Sequence, residues 1–585
     1  MKYSSIPSAQ MLLTHFKEQG VKNIIISPGS RNAPLTISFS EHPYFSCFSV
    51  VDERCAAFFA LGMAMQLQEP VAVLCTSGSA LLNYYPAVAE AFFSQIPLIV
   101  VSADRPPHKI DIGDGQTIRQ EHVFARHIAY EANLLIDVAH ATDKLKKENS
   151  SLFKEGTSVQ ELQEDINQRN ANELQEAFQV LYNTSQPIHI NIPFEEPLYD
   201  TVETLYADST TLKKIRKQPL ESVPLEGYQQ LWQKAQKKMI IVGVQTPNYI
   251  EQEILNSLGD DPSVIVFTET TSNIHHPNFF YSIDAIIAPI EKSKEKEVLF
   301  ATLQPEILIT FGGLIVSKKI KAFLRTFKPK HHWHVGELGA NDTFFSLSHH
   351  FKTNENSFFR ELLQNSSSSK SSYKSFWANR KQQYKLKRAA YLEQIPFSDM
   401  VAFHHILKSI PKAYQLHLAN SSTVRYAQLF DLDPSLEVYC NRGTSGIDGS
   451  SSTAVGASVY YKKPSVLITG DVSFFYDSNA FWNAYIPATF RVILINNEGG
   501  GIFRILPGAE ESDNFRTYFE THHQLTAEHL CKMYNIKYLH ATDEVSLTDR
   551  LADLYQPSEI PVLLEITTPR LINDKILRSY FDFIS

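Results

Sequence analysis

With 585 residues, 43% hydrophobic and 20% charged, the chain has an ordinary globular composition and is long enough for three or four cores. A formal net charge of −9 leaves no basic footprint, which counts against a nucleic-acid partner. No apolar run reaches the roughly eighteen residues of a membrane span. Met1-Lys2-Tyr3-Ser4-Ser5 lacks a charged-then-apolar leader, and the five cysteines are scattered, so a reducing cytoplasmic location is expected.

The first block alternates helices and strands. Ser8 to Glu18 reads as an amphipathic helix, and strands are expected at Asn23–Ser27, Ser46–Val51, Val71–Cys75, Pro97–Ala103 and Pro187–Ile192. Four of these strands run into polar or glycine-rich loops: Pro28-Gly29-Ser30-Arg31-Asn32, Asp52-Glu53-Arg54, Thr76-Ser77-Gly78-Ser79 and Asp104-Arg105-Pro106-Pro107. Loops at strand carboxyl ends form the binding edge of a doubly wound parallel sheet. Helices are expected at Ala56–Gln66 and Asn172–Tyr182. The polar stretch Lys144–Asn170 reads as a surface insertion, with Lys144 to Lys147 a solvated face.

A polar connector, Asp200 to Pro224, leads to a second α/β block with strands at Met239–Val244, Ser263–Thr268, Ile307–Phe311 and His332–Val335. Its Gly312-Gly313 turn precedes a helix from Ser317 to Arg325 that carries Lys318, Lys319 and Lys321. The run His331-His332-Trp333-His334 lies on a strand, where alternate residues face opposite ways, so it does not converge on one ion. Ser366 to Ser372 is serine-rich and marks a linker. The third block has strands at Tyr414–Leu418, Glu437–Cys440, Ser465–Thr469, Arg491–Ile495, Ile536–His540 and Pro561–Thr567. The expected fold is therefore α/β with three doubly wound parallel-sheet domains: 1–198, 199–365 and 397–585, with 366–396 as linker. The first and third blocks are similar in layout.

Within the third block, Ser465–Thr469 ends at Gly470-Asp471 and Arg491–Ile495 ends at Asn496-Asn497-Glu498-Gly499-Gly500-Gly501. With a helix expected at Asp477–Ile486, this is a right-handed βαβ unit, which brings Asp471 and Asn497 to one edge. A carboxylate, an amide oxygen and the Gly499 carbonyl are hard oxygen donors suited to Mg²⁺, and the glycines admit a diphosphate. Glu53 sits before an apolar helix. On its own it reads more readily as an acid favoured by the helix dipole than as a functional one.

A Gly-Asp followed 26 residues after its aspartate by the second asparagine of Asn-Asn resembles the diphosphate–metal motif of thiamine-diphosphate enzymes. The words Ile26-Ser27-Pro28-Gly29-Ser30-Arg31-Asn32, Val51-Asp52-Glu53-Arg54, Thr76-Ser77-Gly78-Ser79, Asp104-Arg105-Pro106-Pro107, Asn441-Arg442-Gly443 and Ser445-Gly446-Ile447-Asp448-Gly449 narrow this resemblance. Together they resemble one subgroup, the 2-succinyl-5-enolpyruvyl-6-hydroxy-3-cyclohexene-1-carboxylate synthase (MenD) family of menaquinone biosynthesis. The motifs are specific in the first and third domains and thin in the middle one.

That resemblance implies a transferase that decarboxylates 2-oxoglutarate on thiamine diphosphate and adds the four-carbon unit to isochorismate. It implies a pyrimidine-binding first domain and a diphosphate-binding third domain, with Asp471, Asn497 and Gly499 holding Mg²⁺ or Mn²⁺. Glu53 would hydrogen-bond the aminopyrimidine and favour its imino tautomer, aided by an enclosed site that raises its pKa. Pro28, Thr76, Ser421, Ser473, Ile447 and Ile502 would contact the cofactor, Ile447 as the wedge that keeps it bent. Gln116 would lie near the reacting carbon. Ser30, Arg31, Arg105, Lys318, Lys319, Arg425 and Arg442 would take the substrate carboxylates, and Ile502 and Phe503 would wall the pocket. Catalytic roles would fall to Glu53, Gln116, Arg31 and Arg425. Gly115 and Lys319 depart from the family, which often has Asn and Arg there. In the superfamily the glutamate and diphosphate domains of different subunits meet at the cofactor, which implies a homodimer at least, or a homotetramer. An acetolactate-synthase-like carboligase and a non-catalytic cofactor-binding paralogue are the alternatives; the arginine-rich loops count against the first.

Overall fold

Runs such as Val71–Cys75 and Leu98–Asp104 are buried at every residue, the pattern of strands covered on both faces, and they pair in parallel. The computed structural model describes residues 2–205, 214–215, 224–364, 370–505 and 512–585. The chain divides into two compact units. The first is Met1–Gln218 with Gly443–Lys462 and Tyr476–Pro487; the second is Pro219–Arg442 with Lys463–Phe475 and Ala488–Ser585.

The first unit contains β1 (Tyr3–Ser4), β2 (Asn23–Ile26), β3 (Ser46–Ser49), β4 (Val71–Cys75), β5 (Leu98–Asp104), β6 (Tyr130–Asn133), β7 (Ile188–Pro193) and β8 (Thr201–Val202). Six of them form a parallel sheet in the order β3-β2-β4-β5-β7-β6, while β1 and β8 pair antiparallel. The strand order reverses between β2 and β4, so the loops after those strands diverge and leave a crevice at the carboxyl edge.

The second unit holds two sheets. One has β9 (Lys238–Val242), β10 (Val264–Thr268), β11 (Phe280–Tyr281), β12 (Ile307–Phe311), β13 (His331–Val335) and β14 (Leu347–Phe351), in the order β11-β10-β9-β12-β13-β14. The other has β15 (Gln415–Leu418), β16 (Glu437–Tyr439), β17 (Ser465–Gly470), β18 (Arg491–Asn496), β19 (Lys537–Ala541) and β20 (Val562–Thr567), in the order β16-β15-β17-β18-β20-β19. Counted from its own first strand, this last sheet has the same order as the sheet of the first unit. Its reversal falls between β15 and β17.

Four expectations change. The helix after β17 is Asp471–Tyr476, directly on the strand end, followed by a 3₁₀ turn at Ser478–Phe481, not a helix over 477–486. Asp471 thus occupies a first helical turn, where the backbone amides favour an acid. Half of the supposed insertion 144–170 belongs to a 26-residue helix, Val159–Thr184, started by a Ser158–Glu161 capping box. Its Leu162, Leu174, Ala177, Phe178 and Leu181 are buried although most of its sequence is polar. Lys144 is not merely solvated, since its Nζ lies 2.8 Å from the buried Glu195. Within the supposed linker 366–396, residues 365–369 lie outside the described ones, and Tyr373–Leu392 is a 20-residue helix. Its aromatic stripe buries Tyr373, Trp377 and Tyr384 in the middle core and Tyr391 in the next. The connector 200–224 is described only in part, because 206–213 and 216–223 lie outside the described residues.

Trp377 distinguishes a structural helix from a tether. Trp377→Ala is expected to cost about 3–5 kcal/mol, read as a lower urea midpoint; an unchanged midpoint would make the helix a mere connector.

Candidate active site

In the first unit, Glu53 opens the helix Glu53–Leu67, and Asp52 caps it by accepting the Cys55 N–H at 3.2 Å. Asp52 also accepts from the Asn479 amide at 2.8 Å, so it is occupied with structure and leaves Glu53 as the acid of this turn. Burial raises the Glu53 carboxyl above its ordinary value, its own backbone N–H opposes that, and the nearby Asp52 charge adds to the rise. The loop after β2 meets the loop after β4 so closely that a Cβ on Gly29 would lie 2.3 Å from Thr76 Cβ. Only glycine permits that approach. The Arg31 N–H donates to Thr76 Oγ1 at 3.3 Å, while Pro28 and Ser30 stay exposed at the crevice.

Arg31 and Arg105 share one acid. Buried Arg31 donates to the Phe194 carbonyl at 2.9 Å and to Glu196 Oε1 at 3.0 Å, and Arg105 lies 3.7 Å from the same oxygen. Arg105 also donates to the Gly115 carbonyl at 3.1 Å, so the backbone is what this departure position contributes. Gln116 has φ 56°, and its carbonyl accepts from Ser77 Oγ at 2.9 Å while its side chain is exposed. Two residues of this region were missed from sequence. Buried Gln120 accepts the Gly78 N–H at 3.0 Å and donates to Asn191 at 2.9 Å. Buried Glu90 accepts the Gly443 and Thr444 N–H groups, both at 2.6 Å, anchoring the loop that carries Ile447. The one available signal was a lone carboxylate inside the apolar helix Tyr85–Ser94.

In the second unit, the parallel register Gly470↔Ile495 sets Asp471 beside the end of β18. Asp471 Oδ2 accepts the Gly499 N–H at 2.9 Å, and Oδ1 accepts its neighbour Val472 N–H at 2.7 Å. His523 Nε2 stands 3.4 Å from Oδ2, and that carboxylate raises the imidazole pKa. The two asparagines diverge. Asn496 turns into the core and donates to the buried Glu565 at 2.6 Å, whereas Asn497 Nδ2 donates to Asp399 at 3.0 Å. With its nitrogen committed, Asn497 keeps Oδ1 as an acceptor. Asp399 is buried, accepts Thr568 Oγ1 at 2.6 Å, and is pushed up to about 6 by burial. The donor set fits a hard divalent cation: carboxylate, amide oxygen and loop carbonyl. Gly499 has φ 142°, and a Cβ there would meet the Glu520 carbonyl at 2.6 Å, so the loop requires glycine. Ser473 is buried in the first turn of the helix that starts at Asp471, and Ser421 has φ 69° in the loop after β15.

Glu520, also missed, braces the glycine loop. Its carbonyl accepts the Gly500 N–H at 2.6 Å, and its buried carboxylate takes forks from Arg504 (2.7 and 2.7 Å) and Arg570 (2.9 and 2.7 Å). Ile502 is half-buried and Phe503 exposed on the turn Gly501–Ile505. Among the expected substrate cations, Arg425 and Arg442 lie close enough for each other's charge to matter, after burial the second cause lowering the Arg425 pKa. Arg442 donates to Asn420 at 2.6 Å. Lys319 pairs with Glu291, and Lys318 is exposed on the helix Lys318–Thr326. Lys321, not singled out from sequence, feels both Arg425 and Arg442, although burial is the main cause of its lowered pKa.

Two strand-end crevices on sheets of one topology, one beside the half-buried Glu53 and one with a hard-donor glycine loop, fit a cofactor enzyme of the thiamine pyrophosphate class. Family models agree: residues 8–127 match the thiamine pyrophosphate enzyme N-terminal TPP binding domain, 228–418 the middle domain of thiamine pyrophosphate, and 420–566 the C-terminal TPP binding domain. A protein of Flavobacterium johnsoniae is 52% identical over 587 residues, covering 99% of each chain. One of Christiangramia forsetii is 52% identical over 585 residues, covering 100% of each. One of Porphyromonas gingivalis is 36% identical over 596 residues, covering 100% of this chain and 98% of that one. All three are named 2-succinyl-5-enolpyruvyl-6-hydroxy-3-cyclohexene-1-carboxylate synthase. The chain belongs to this family of thiamine pyrophosphate enzymes, and it is a transferase.

The two forks hold Glu520 down to about 2, below the roughly 4.3 of an unfolded glutamate. Its contribution is therefore full above the unfolded value and drains as pH falls toward the folded one. Glu520→Gln is expected to cost about 3 kcal/mol near neutrality, with the gap in Tm from the parent closing below about pH 4. A gap that does not change with pH would mean that the charge is not what matters.

Proposed function

We propose that the chain decarboxylates 2-oxoglutarate and adds the resulting four-carbon unit to isochorismate, giving 2-succinyl-5-enolpyruvyl-6-hydroxy-3-cyclohexene-1-carboxylate and CO₂ in menaquinone biosynthesis. Full-length likeness to synthases of that name supports the substrates. The observation that carries the chemistry is the Asp471–Gly499 bond at the end of the paired strands β17 and β18, which gathers the oxygen donors for a metal diphosphate.

Thiamine diphosphate, when bound, supplies the electron sink for the carbanion left by loss of CO₂. Asp471, Asn497 and the Gly499 carbonyl would hold Mg²⁺ or Mn²⁺, with Asp399 taking the Asn497 nitrogen and leaving its oxygen as an acceptor. Glu53, with its carboxyl raised by burial, would hold a proton against a pyrimidine ring nitrogen. Ile447, Thr76, Pro28, Ser421, Ser473 and Ile502 would seat the cofactor. Arg31, Arg105, Lys318, Lys319, Arg425 and Arg442 would bind the substrate carboxylates, with Ser30, Gln116 and Phe503 lining the reacting centre. Glu196 already occupies Arg31 and Arg105, so a substrate carboxylate would replace an acid there rather than meet bare cations. None of the five cysteines is in a disulfide, in keeping with a reducing cytoplasm. Among the described residues no helix is long and apolar enough to cross a membrane. We propose a homodimer as the minimum assembly and a homotetramer as the next.

Glu53→Gln is expected to keep thiamine diphosphate binding, measured by calorimetry, while CO₂ release from 2-oxoglutarate falls at least about a hundredfold. Turnover at the parent rate would remove the role given to Glu53, and pyruvate replacing 2-oxoglutarate would remove the substrate. Asp399→Asn is expected to weaken Mn²⁺ binding about tenfold, read by electron paramagnetic resonance; unchanged affinity would make Asp399 irrelevant to the metal.

A further inference from the structure

The second unit contains a cavity of about 220 Å³ that the proposed reaction does not use. For scale, an apolar cavity of about 150 Å³ is enough to hold benzene. The walls come from the segment after β10, from the helix Tyr373–Leu392 and from the residues after the helix Ser422–Ala427. Tyr281, Phe430, Leu432 and two prolines make an apolar side.

The polar side is short of partners. Thr270 Oγ1, His275 Nε2, Ser282 Oγ and Gln428 Nε2 are buried with no hydrogen-bond partner among the described residues, and all four residues line the cavity. Ser282 and Gln428 are each 7% exposed. Native proteins seldom leave such groups unpaired unless something else satisfies them. All four can donate, His275 in the tautomer with its proton on Nε2.

The wall charges are also unequal in what they leave over. Glu269 is spent on the Val316 and Ser317 N–H groups, both at 2.7 Å, and burial pushes it up to about 7. Asp431 is spent on Lys385 at 2.6 Å and on Arg388. Among the described residues the Lys381 ammonium gives one hydrogen bond, to the Phe279 carbonyl at 2.6 Å, and lies over the Phe280 and Tyr281 rings, so it keeps N–H groups to give, and burial lowers its pKa. His275 is likewise lowered by burial and is neutral near pH 7.

We propose that this cavity is a second ligand site, taking a small carboxylate with an apolar body about the size of one ring. The carboxylate would face Lys381, Ser282 and Gln428, with its body against Tyr281 and Phe430. The occupant would bear on Glu269, which lines the cavity and also holds the turn that begins the helix Lys318–Thr326. Binding here therefore tightens the amides of Val316 and Ser317 as well as the wall itself. Neither statement requires the reaction proposed above.

The test is hydrogen–deuterium exchange of the full chain with millimolar benzoate, and with benzamide as the neutral control. Benzoate is expected to slow exchange in peptides covering 269–282, 428–434 and 316–317, and benzamide to act more weakly. Lys381→Met should weaken benzoate about tenfold, the loss of one charged hydrogen bond, with Gln428→Leu as an independent second variant. Arg425→Lys should leave this protection unchanged. Protection confined to the Arg425 region and lost in Arg425→Lys would show that benzoate had taken the other cations, and the proposal would fall. Absence of protection, or protection that both wall variants leave intact, would overturn it. Wall protection without any at 316–317 would remove the link through Glu269.

Discussion

Parallel pairing of β17 with β18 is the constraint on which the proposed metal site rests. Asp471 and Asn497 lie 26 residues apart in sequence, and the register Gly470↔Ile495 cancels that separation. Once paired, the strand ends present one amide, Gly499 N–H, to one carboxylate, Asp471. The pleat does the rest, because successive side chains leave a strand on opposite sides. Asn496 goes to Glu565 in the core, and Asn497 gives its nitrogen to Asp399, leaving its oxygen as an acceptor. A slip of one residue would exchange these two roles.

Buried acids hold the functional loops in place. Glu90 holds the 443–449 loop, Glu269 the start of the lysine-bearing helix, and Glu520 the glycine loop. Each lies where burying a charge is costly, and each is matched by backbone amides or by paired guanidinium forks. Such acids work as clamps, because losing one partner leaves a charge stranded in a poor solvent. Two of these loops hold a non-glycine residue at positive φ, Ser445 and Glu498, and so do the loops that carry Gln116 and Ser421. Left-handed backbone at such residues persists where surrounding bonds over-determine it, and it concentrates at working sites.

The first and third sheets share one strand order but do different work. In the first, the crevice at the reversal between β2 and β4 is flanked by the Gly29 and Thr76 loops, and Glu53 follows the neighbouring β3. In the third, the reversal between β15 and β17 is flanked by Ser421 and Asp471. One topology thus offers the same kind of crevice twice, and loop chemistry decides what each can hold. The middle sheet has a different order and contributes the helix with Lys319 and Lys321.

Local sequence was enough for most strands of all three sheets, because buried parallel strands are short apolar runs bounded by glycine and polar residues, and it placed Asp471, Asn497 and Glu53 at strand ends. It was not enough for β6, β11 and β14, which are short or polar edge strands whose only strand signal is the neighbour they pair with. Nor did it reveal the helix in 373–392, because a stripe of four aromatics in a basic, polar segment means burial only when a core is present to receive it. Residue types and spacing were enough to propose metal donors and an activating acid, and to point to the family that the comparisons show. Tertiary structure decided that Glu196 occupies Arg31 and Arg105, that Lys321 feels the charges of Arg425 and Arg442, and that Glu90, Asp399, Gln120 and Glu520 position the loops. The reason is physical: a strand end is written in local sequence, whereas a buried charge acquires its meaning from partners tens to hundreds of residues away.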